Sequence, residues 1–216
     1  MTYQLRPGLS FGFIGERAVL LDLDIDRYFL IKAEAAQALR DLMVGAIDAG
    51  TYHRLPRPGG RPLLVEGDNG IDPVEAALPG SSVLETEGRE PAHLPFHHAL
   101  RAQLEASVSL PILGIKRSIA AWRRARPVDI GRHFSSETED VARAFALRRA
   151  TVPIRRGCVP DSLALMRLLW RKGLDADLYF GVRLDPFAAH CWVQAEDYLL
   201  SDPLANVLSF TPVFRL

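Results

Sequence analysis

The chain has 216 residues, of which 48% are hydrophobic and 24% charged, and its mean hydropathy is close to zero. This is the composition of a globular protein, and it excludes a wholly disordered chain. No apolar run reaches the roughly 18 residues of a membrane span, and Met1–Pro7 lacks the apolar stretch of a signal peptide. We therefore expect a cytoplasmic protein without a membrane partner.

The balanced net charge conceals an asymmetry between the two halves of the chain. Residues 1–90 carry 9 Lys and Arg against 14 Asp and Glu, whereas residues 91–216 carry 17 against 12. The basic excess is densest over Lys116–Arg156, with 11 basic and 4 acidic residues. This stretch either forms a solvated helical surface or binds an acidic partner, which includes the acidic half of the same chain. Aromatic residues do not alternate with its arginines, so we expect no nucleic-acid partner.

The first fifty residues predict three strands followed by a helix. Bulky and alternating apolar residues predict strands at Leu9–Ile14, Val19–Ile25 and Tyr28–Ile31. From Ala33 onward, apolar residues recur every three or four positions, which predicts one face of an amphipathic helix over Ala33–Ala49. Gly50 is a suitable C-terminal stop for that helix.

Residues 51–95 are rich in proline and glycine, which end helices and interrupt strands. We predict only a short strand at Leu63–Glu66 and a short helix at Asp72–Leu78. The same composition places a domain boundary between Pro79 and Pro95. It divides the chain into domains at residues 1–84 and 92–216.

The second domain begins with helical patterns. The spacing of apolar residues predicts helices over His97–Val108, Ile115–Arg126 and Glu137–Ala150. Ser136 lies three residues before Glu139, which is the spacing of a capping box at the start of the third helix.

Cys158 stands at the beginning of a further predicted helix. Pro160 suits the first helical turn, where its missing N–H costs nothing, and apolar residues continue the helix beyond it. Unpaired N–H groups and the positive end of the helix dipole stabilise a thiolate at that position. Arg155 and Arg156 add positive charge nearby, whereas Asp161 opposes it.

Three strands are predicted after this helix. They lie at Ala176–Leu184, His190–Gln194 and Tyr198–Asp202. Alternate side chains of a strand share a face, so His190 and Trp192 point one way and Cys191 the other. Cys191 is therefore predicted to be a small buried residue and not the partner of His190.

The turn between the last two strands decides whether Asp202 can meet His190. A loop centred on Glu196 places Asp202 opposite His190. A two-residue turn at Glu196–Asp197 pairs Asp202 with Cys191 and would separate carboxylate from imidazole. The spacing leaves both registers open.

With the first register, three residues form a nucleophile, a base and an orienting carboxylate. Cys158 supplies the thiolate, His190 exchanges its proton, and Asp202 fixes the imidazole tautomer. A different reading makes Cys158, His190 and Cys191 metal ligands, but strand alternation places the last two on opposite faces. We therefore expect neither a metal nor a cofactor.

The residues around these three positions carry a family resemblance. The stretches are Arg156–Leu163, Gly181–Val182 and Pro186–Val193, followed by Asp202. They resemble the transglutaminase-like cysteine peptidases, and specifically the B proteins of lasso-peptide biosynthesis. The resemblance implies an α+β fold, with a transglutaminase/papain-like domain at residues 92–216.

The leading domain, residues 1–84, is similar to the PqqD-like elements that accompany many members of that family. The similarity implies a small winged-helix-like domain with a three-stranded sheet and helices. Such domains bind a leader peptide as an added strand at a sheet edge. We assign this contact to Tyr28, Phe29, Leu30 and Ile31. Trp192 either lines the peptidase site as a further peptide contact or packs in the core, which the size of an indole favours.

The resemblance also implies a reaction. The enzyme would bind the leader of a ribosomally made precursor peptide and cut it from the core, which passes to a separate ATP-dependent cyclase. The Cys158 backbone N–H would help to form the oxyanion hole, while Val152 occupies the position of the glutamine that papain-type enzymes use. A transamidase of the same fold and a catalytically inert leader-binding scaffold are the alternatives.

Overall fold

The computed structural model describes residues 3–45, 54–75, 78–86, 93–126 and 134–216. Its contacts divide the chain into two compact units. The first comprises Met1–Glu75 with Thr211–Phe214, and the second comprises Ala76–Phe210 with Arg215–Leu216. With four helices and ten strands among the described residues, the fold is α+β, as predicted.

The first unit is built on a three-stranded antiparallel meander. Its elements are β1 (Tyr3–Leu5), β2 (Leu9–Ile14), β3 (Arg17–Asp22), β4 (Arg27–Ile31), α1 (Ala33–Met43) and β5 (Leu64–Glu66). Strands β2, β3 and β4 pair in that order, and β1 pairs separately with β5. Buried apolar side chains of β2, β3 and α1, among them Phe11, Leu20 and Leu39, form its core.

Strand β3 ends earlier than the alternating pattern predicts, at Asp22 instead of Ile25. The cause is an ion-pair cluster, because Arg6 donates to the carboxylates of Asp22 at 2.7 Å and Asp24 at 2.9 Å. The chain then turns through Asp26, whose φ of 52° lies in the left-handed region. The polar cluster, and not the apolar pattern, sets the end of the strand.

Helix α1 is also shorter than predicted. It ends at Met43 because Gly45, with φ of 76°, adopts the left-handed conformation that terminates a helix, and its N–H donates to the Leu42 carbonyl. The predicted stop at Gly50 lies outside the described residues, as does Ala46.

The predicted helix at Asp72–Leu78 is wrong for the residues that the structure describes there. Asp72–Glu75 and Leu78 are not helical, and residues 76–77 lie outside the described part. The Val74 N–H donates to the Phe11 carbonyl at 2.8 Å, so this segment runs beside β2. Hydrogen bonding to a distant strand decides the conformation, which a local pattern does not reveal.

The second unit combines three helices with a five-stranded sheet. Its elements are β6 (Ser81–Ser82), α2 (Phe96–Ala125), α3 (Ser136–Arg149), α4 (Cys158–Arg171), β7 (Asp177–Leu184), β8 (Phe187–Ala195) and β9 (Tyr198–Leu199). The fifth strand of the sheet is β10 (Thr211–Arg215), of which only Arg215 is grouped with the second unit. The sheet order is β10–β7–β8–β9–β6. The central pair, β7 and β8, is antiparallel over its whole length.

Helix α2 contains the two helices predicted at its ends, joined through a break. Gly114 has φ of 72° and ψ of 166°, which no helix accommodates, and Pro111 precedes it. The Ser118 hydroxyl donates to the Ser109 carbonyl at 3.2 Å, a distance that a continuous helix does not permit for residues nine apart. The chain therefore turns sharply at Gly114.

Part of the basic stretch Lys116–Arg156 serves internal ion pairs. Arg126 donates to Asp175 at 2.8 Å and to Asp177 at 2.9 Å, and Arg149 is buried against Asp161. Arg123 and Arg124 are exposed. None of the helices in the described ranges is both long and apolar enough to traverse a bilayer.

Helix α4 packs its apolar face on β7 and β8 and thereby positions its own N-terminus. Leu163, Leu165, Met166 and Leu169 are at most 1% exposed. One turn after the start of α4, the buried Ser162 hydroxyl donates to the Cys191 carbonyl of β8 at 3.1 Å. This bond connects the beginning of α4 with the strand that carries His190.

Candidate active site

Cys158 is the first residue of α4, as the sequence predicts. Gly157 is the N-cap in an extended conformation, and its carbonyl accepts the first helical hydrogen bond, from the Asp161 N–H at 3.0 Å. The thiol is half-buried. It therefore stands where the unpaired N–H groups of the helix start concentrate positive potential.

His190 lies on β8, and its imidazole contacts the Asp202 carboxylate. Nε2 of His190 is 3.1 Å from Oδ1 of Asp202, and the two side chains are 19% and 17% exposed. With Nε2 bonded to the carboxylate, Nδ1 remains for the thiol. Since the imidazole also hydrogen-bonds to the Cys158 thiol, the structure brings together all three residues predicted for catalysis.

The register of β8 and β9 is the one that we expected to separate Asp202 from His190. Gln194 pairs with Leu199 and Ala195 with Tyr198, which leaves a two-residue turn at Glu196–Asp197. The prediction that this register separates Asp202 from His190 is wrong. Strand β9 ends at Leu199, and the Leu200 N–H still donates to the Val193 carbonyl at 2.8 Å. The chain then leaves the sheet before Asp202, and the carboxylate lies beside the imidazole.

Two serines hold Asp202 in this position. The Val193 N–H donates to the Ser201 hydroxyl at 3.0 Å, and that hydroxyl donates to Oδ2 of Asp202 at 2.5 Å. The Ser82 hydroxyl donates to the Asp202 backbone carbonyl at 2.7 Å. Neither serine was predicted as part of the site: Ser201 adjoins Asp202, whereas nothing in the sequence connects Asp202 with Ser82, 120 residues away.

Cys158 and His190 shift each other's pKa in opposite directions. The hydrogen bond from His190 is the largest influence on Cys158 and lowers the pKa of its thiol below the ordinary 9.0, while burial opposes it. Burial is the largest influence on His190 and would lower its pKa. Hydrogen bonds and charges of Asp202 and Cys158 outweigh it and raise the pKa of His190 from 6.5 to about 9. This arrangement favours a thiolate–imidazolium pair.

Aromatic rings pack behind the imidazole. Trp192 stacks near His190 with ring centroids 6.3 Å apart, and Phe210 lies 5.4 Å from it. A Cβ on Gly181, which pairs with His190, would lie 2.5 Å from the Trp192 ring, so glycine is required there. Trp192 is 0% exposed, so it packs in the core, and the alternative that it contacts the peptide is wrong. The ring supports the imidazole from the protein interior.

Arg149, which no sequence pattern singles out, fixes the segment between α3 and Cys158. Its guanidinium is 4% exposed and donates to Asp161 at 2.9 Å, and the same carboxylate accepts from Gln103. It also donates, at 3.0–3.2 Å, to the carbonyls of Val152, Ile154 and Arg155. The negative charge of Asp161, expected to oppose the thiolate, is thereby compensated.

Cys191 is buried at 1% exposure, as predicted from strand alternation. Burial, as the largest influence, raises the pKa of its thiol well above the ordinary value, so this thiol is unreactive. Across the described ranges, no group of three or more His, Cys, Asp or Glu side chains is arranged to hold a metal ion. The alternative with metal ligands therefore has no geometric support.

The residues assigned to leader binding belong to the first unit, whereas the triad belongs to the second. Tyr28 to Ile31 lie in β4, the last strand in the order of its sheet. Tyr28 and Phe29 are half-buried, Leu30 is 52% exposed and Ile31 is buried. The side chain of Leu30 is thus accessible, and that of Ile31 is part of the core.

Comparison with known proteins gives one result that agrees with this geometry. The family described as the transglutaminase-like superfamily matches residues 100–215, more than half of the chain and all three triad positions. Neither the comparison with curated proteins nor that with solved structures gives a match. Members of the superfamily are commonly cysteine peptidases or transglutaminases. By its sequence match, this chain belongs to the transglutaminase-like superfamily.

Proposed function

We propose that the chain is a cysteine peptidase that removes the leader from a ribosomally made lasso-peptide precursor. The observation that carries the proposal is the geometry of Cys158, His190 and Asp202 at the start of α4. A half-buried thiol beside an imidazole that a carboxylate orients is a set of groups suited to acyl transfer. The family resemblance supplies the substrate class.

In the proposed reaction the Cys158 thiolate attacks the scissile carbonyl, and its electron pair forms the C–S bond of a tetrahedral intermediate. The imidazolium of His190 donates its proton to the leaving amine as the C–N bond breaks, which leaves a thioester. Neutral His190 then takes a proton from water, whose oxygen attacks the thioester. The Cys158 thiolate leaves, and the carboxylate of the leader is released.

The oxyanion requires donors in both tetrahedral intermediates. We expect the Cys158 N–H to be one of them, because the first N–H groups of a helix have no acceptor within it. Val152, at the position that papain-type enzymes fill with glutamine, has no side-chain donor and is 5% exposed. Backbone donors are therefore the candidates in this chain.

For the first unit we propose the leader-recognition role, as a PqqD-like element of winged-helix-like design. The support is its three-stranded meander followed by α1, with β4 at the end of the sheet order. An extended peptide adding to β4 would form backbone hydrogen bonds there and place one side chain near Leu30. We further propose that the released core passes to an ATP-dependent cyclase in the cytoplasm.

The proposal is tested by incubating the full chain with candidate precursor peptide and following products by mass spectrometry. Free leader and free core, absent with Cys158→Ala and after thiol blockade, support it. Crosslinked or cyclised product formed without the cyclase indicates the transamidase. Leader binding without any thiol-dependent product, in the presence and absence of the cyclase, indicates the scaffold.

A further inference from the structure

Arg183 lies on the same face of the sheet as His190. In the register of β7 and β8, Gly181 pairs with His190 and Arg183 with Ala188. Residues two apart in a strand share a face, so Arg183 follows Gly181 on the side that carries the imidazole. Its backbone lies about 7 Å farther along the strand, at the 3.3 Å rise of each residue.

Phe210 connects the arginine with the imidazole. The Arg183 guanidinium carbon lies 5.4 Å from the centre of the Phe210 ring, and that ring lies 5.4 Å from the His190 ring. One aromatic ring thus packs against both cationic groups. The contact restrains the long Arg183 side chain beside the catalytic base, which lowers the entropy lost when it binds a ligand.

The guanidinium of Arg183 retains donor capacity. Its Nε is buried and has no hydrogen-bond partner among the described residues, although the residue as a whole is half-exposed. An arginine carries five N–H donors in a planar fork that matches a carboxylate. Because Nε itself is buried, a ligand carboxylate would reach only the terminal N–H groups of the fork.

The acidic side chains known to lie at the site already have partners. Asp202 accepts from Ser201 and contacts His190, and Asp161 accepts from Arg149. Two further arginines, Arg155 and Arg156, are exposed directly before Cys158. The surroundings of the thiol are therefore basic, and a substrate with a carboxylate complements them.

We propose that Arg183 binds a carboxylate side chain of the substrate close to the scissile bond, which makes the enzyme selective for acidic peptides. The identity of the substrate as a peptide rests on the proposed function, whereas the anion site itself does not. Arg183 would be a specificity-determining residue, since it touches the substrate away from the reacting atoms. Its contribution would be seen in KM and in anion preference more than in kcat.

The anion site can be tested without any peptide, by comparing two alkylating reagents. Iodoacetate carries a carboxylate and iodoacetamide does not, yet both react with the same thiolate, so their rate ratio cancels changes in thiol ionisation. Buried Cys191 does not compete. We expect Arg183→Met, which keeps an unbranched apolar stem without the charge, to lower the iodoacetate-to-iodoacetamide ratio about three- to tenfold. Arg183→Lys, which keeps a positive charge, should lower this ratio less.

The matched control is Arg124→Gln, which removes one exposed positive charge at the end of α2 and should leave the ratio unchanged. An unchanged ratio in Arg183→Met, with the protein folded by circular dichroism, would overturn the proposal. So would an equal decrease in Arg124→Gln, since the preference would then reflect net charge.

A second experiment compares substrates on the wild-type enzyme, so its first result, the presence or absence of an Asp preference, does not depend on the folding of an Arg183 variant. Single Asp residues are placed in turn at the three positions on each side of the cleaved bond, each with an Asn twin. The proposal requires at least one position where Asp is preferred to Asn about tenfold in kcat/KM, with the preference lost in Arg183→Met. Cleavage with no such preference contradicts the anion site. Absence of any cleavage, combined with the expected alkylation ratio, contradicts the proposed function and leaves the anion site supported.

Discussion

The two units of the chain differ in what their functions require of the sequence. In the second unit, Cys158, His190 and Asp202 come from a helix start, a strand and the residues after a short strand. In the first unit, the proposed leader contact uses one continuous strand, β4, whose backbone provides most of the binding groups. Catalysis here needs side chains that converge, whereas strand addition needs only an accessible edge.

The difference predicts opposite sensitivities to substitution. A reacting set fails when one atom is removed, because its members act as a unit. A backbone interface tolerates most side-chain changes and responds to those that obstruct the edge. Variants of the two units should therefore separate chemistry from binding.

The largest effect is expected from removal of the nucleophile or the base. Cys158→Ala and His190→Ala should each reduce kcat/KM for the precursor by at least about four orders of magnitude, because covalent catalysis and proton transfer are lost together. Mass spectrometry of the cleavage products gives the rate, and fluorescence anisotropy of labelled leader gives the binding.

In both variants the affinity for leader should change less than about twofold, since leader binding is assigned to the other unit. A large loss of affinity in Cys158→Ala, with the protein folded, would show that the two functions are not separable as proposed.

The second prediction concerns the carboxylate. Asp202→Asn should lower kcat about 10²- to 10⁴-fold, because the amide neither fixes the imidazole tautomer nor stabilises the imidazolium. It should also shift the pH profile. Against burial, which is the largest influence and lowers it, Asp202 and Cys158 raise the pKa of His190 to about 9, so wild-type activity should fall as pH rises through about 9. In the variant that alkaline limb should move to lower pH.

The free energy of unfolding should also change with pH as His190 titrates. Since the folded pKa of His190 lies above its ordinary 6.5, the stabilisation from its charged form is complete below pH 6.5 and lost as pH rises through about 9. Urea unfolding of wild type and Asp202→Asn across this range measures it, and parallel curves for the two proteins would contradict the assignment.

The third prediction addresses the first unit. Leu30→Glu places a charge on an accessible side chain of β4, and we expect leader affinity to fall about five- to tenfold, or close to 1 kcal/mol. The control is Leu147→Glu on α3, which is 66% exposed and should have no effect on affinity. Alkylation of Cys158 should proceed at the wild-type rate in both variants. Equal affinities in the two variants would contradict the assignment of a leader contact to Leu30.

The sequence predicts the chemistry of the site better than its geometry. A cysteine before a helix-compatible proline and a histidine in an alternating strand are local features, so both can be found without coordinates. The position of Asp202 cannot be found without coordinates, because it depends on where β9 ends. That end is fixed by contacts with Ser82 and Ser201, and the first of these is remote in sequence.

The same distinction explains the errors in the predicted fold. Elements with strong periodicity, such as β2 and α4, lie where predicted. The ends of β3 and α1 and the segment Asp72–Glu75 do not, because an ion pair to Arg6, a left-handed glycine and a bond to Phe11 decide them. These are tertiary contacts or single backbone conformations, which outweigh local propensity.

The smallest effect is expected from Ser201→Ala, which tests whether the chain after β9 is held as the structure shows. The variant removes the donor to Oδ2 of Asp202 and leaves the Val193 N–H without its acceptor, so stability should fall by about 1–3 kcal/mol. Asp202 keeps its contact with His190 and its backbone bond to Ser82, so kcat should fall only a few-fold. Ser109→Ala in α2 removes a hydroxyl that bonds within its own helix and serves as the control for losing a serine. A rate loss as large as that of Asp202→Asn would contradict this prediction. Ser201 would then act in the reaction together with Cys158, His190 and Asp202, and not only as a support for Asp202.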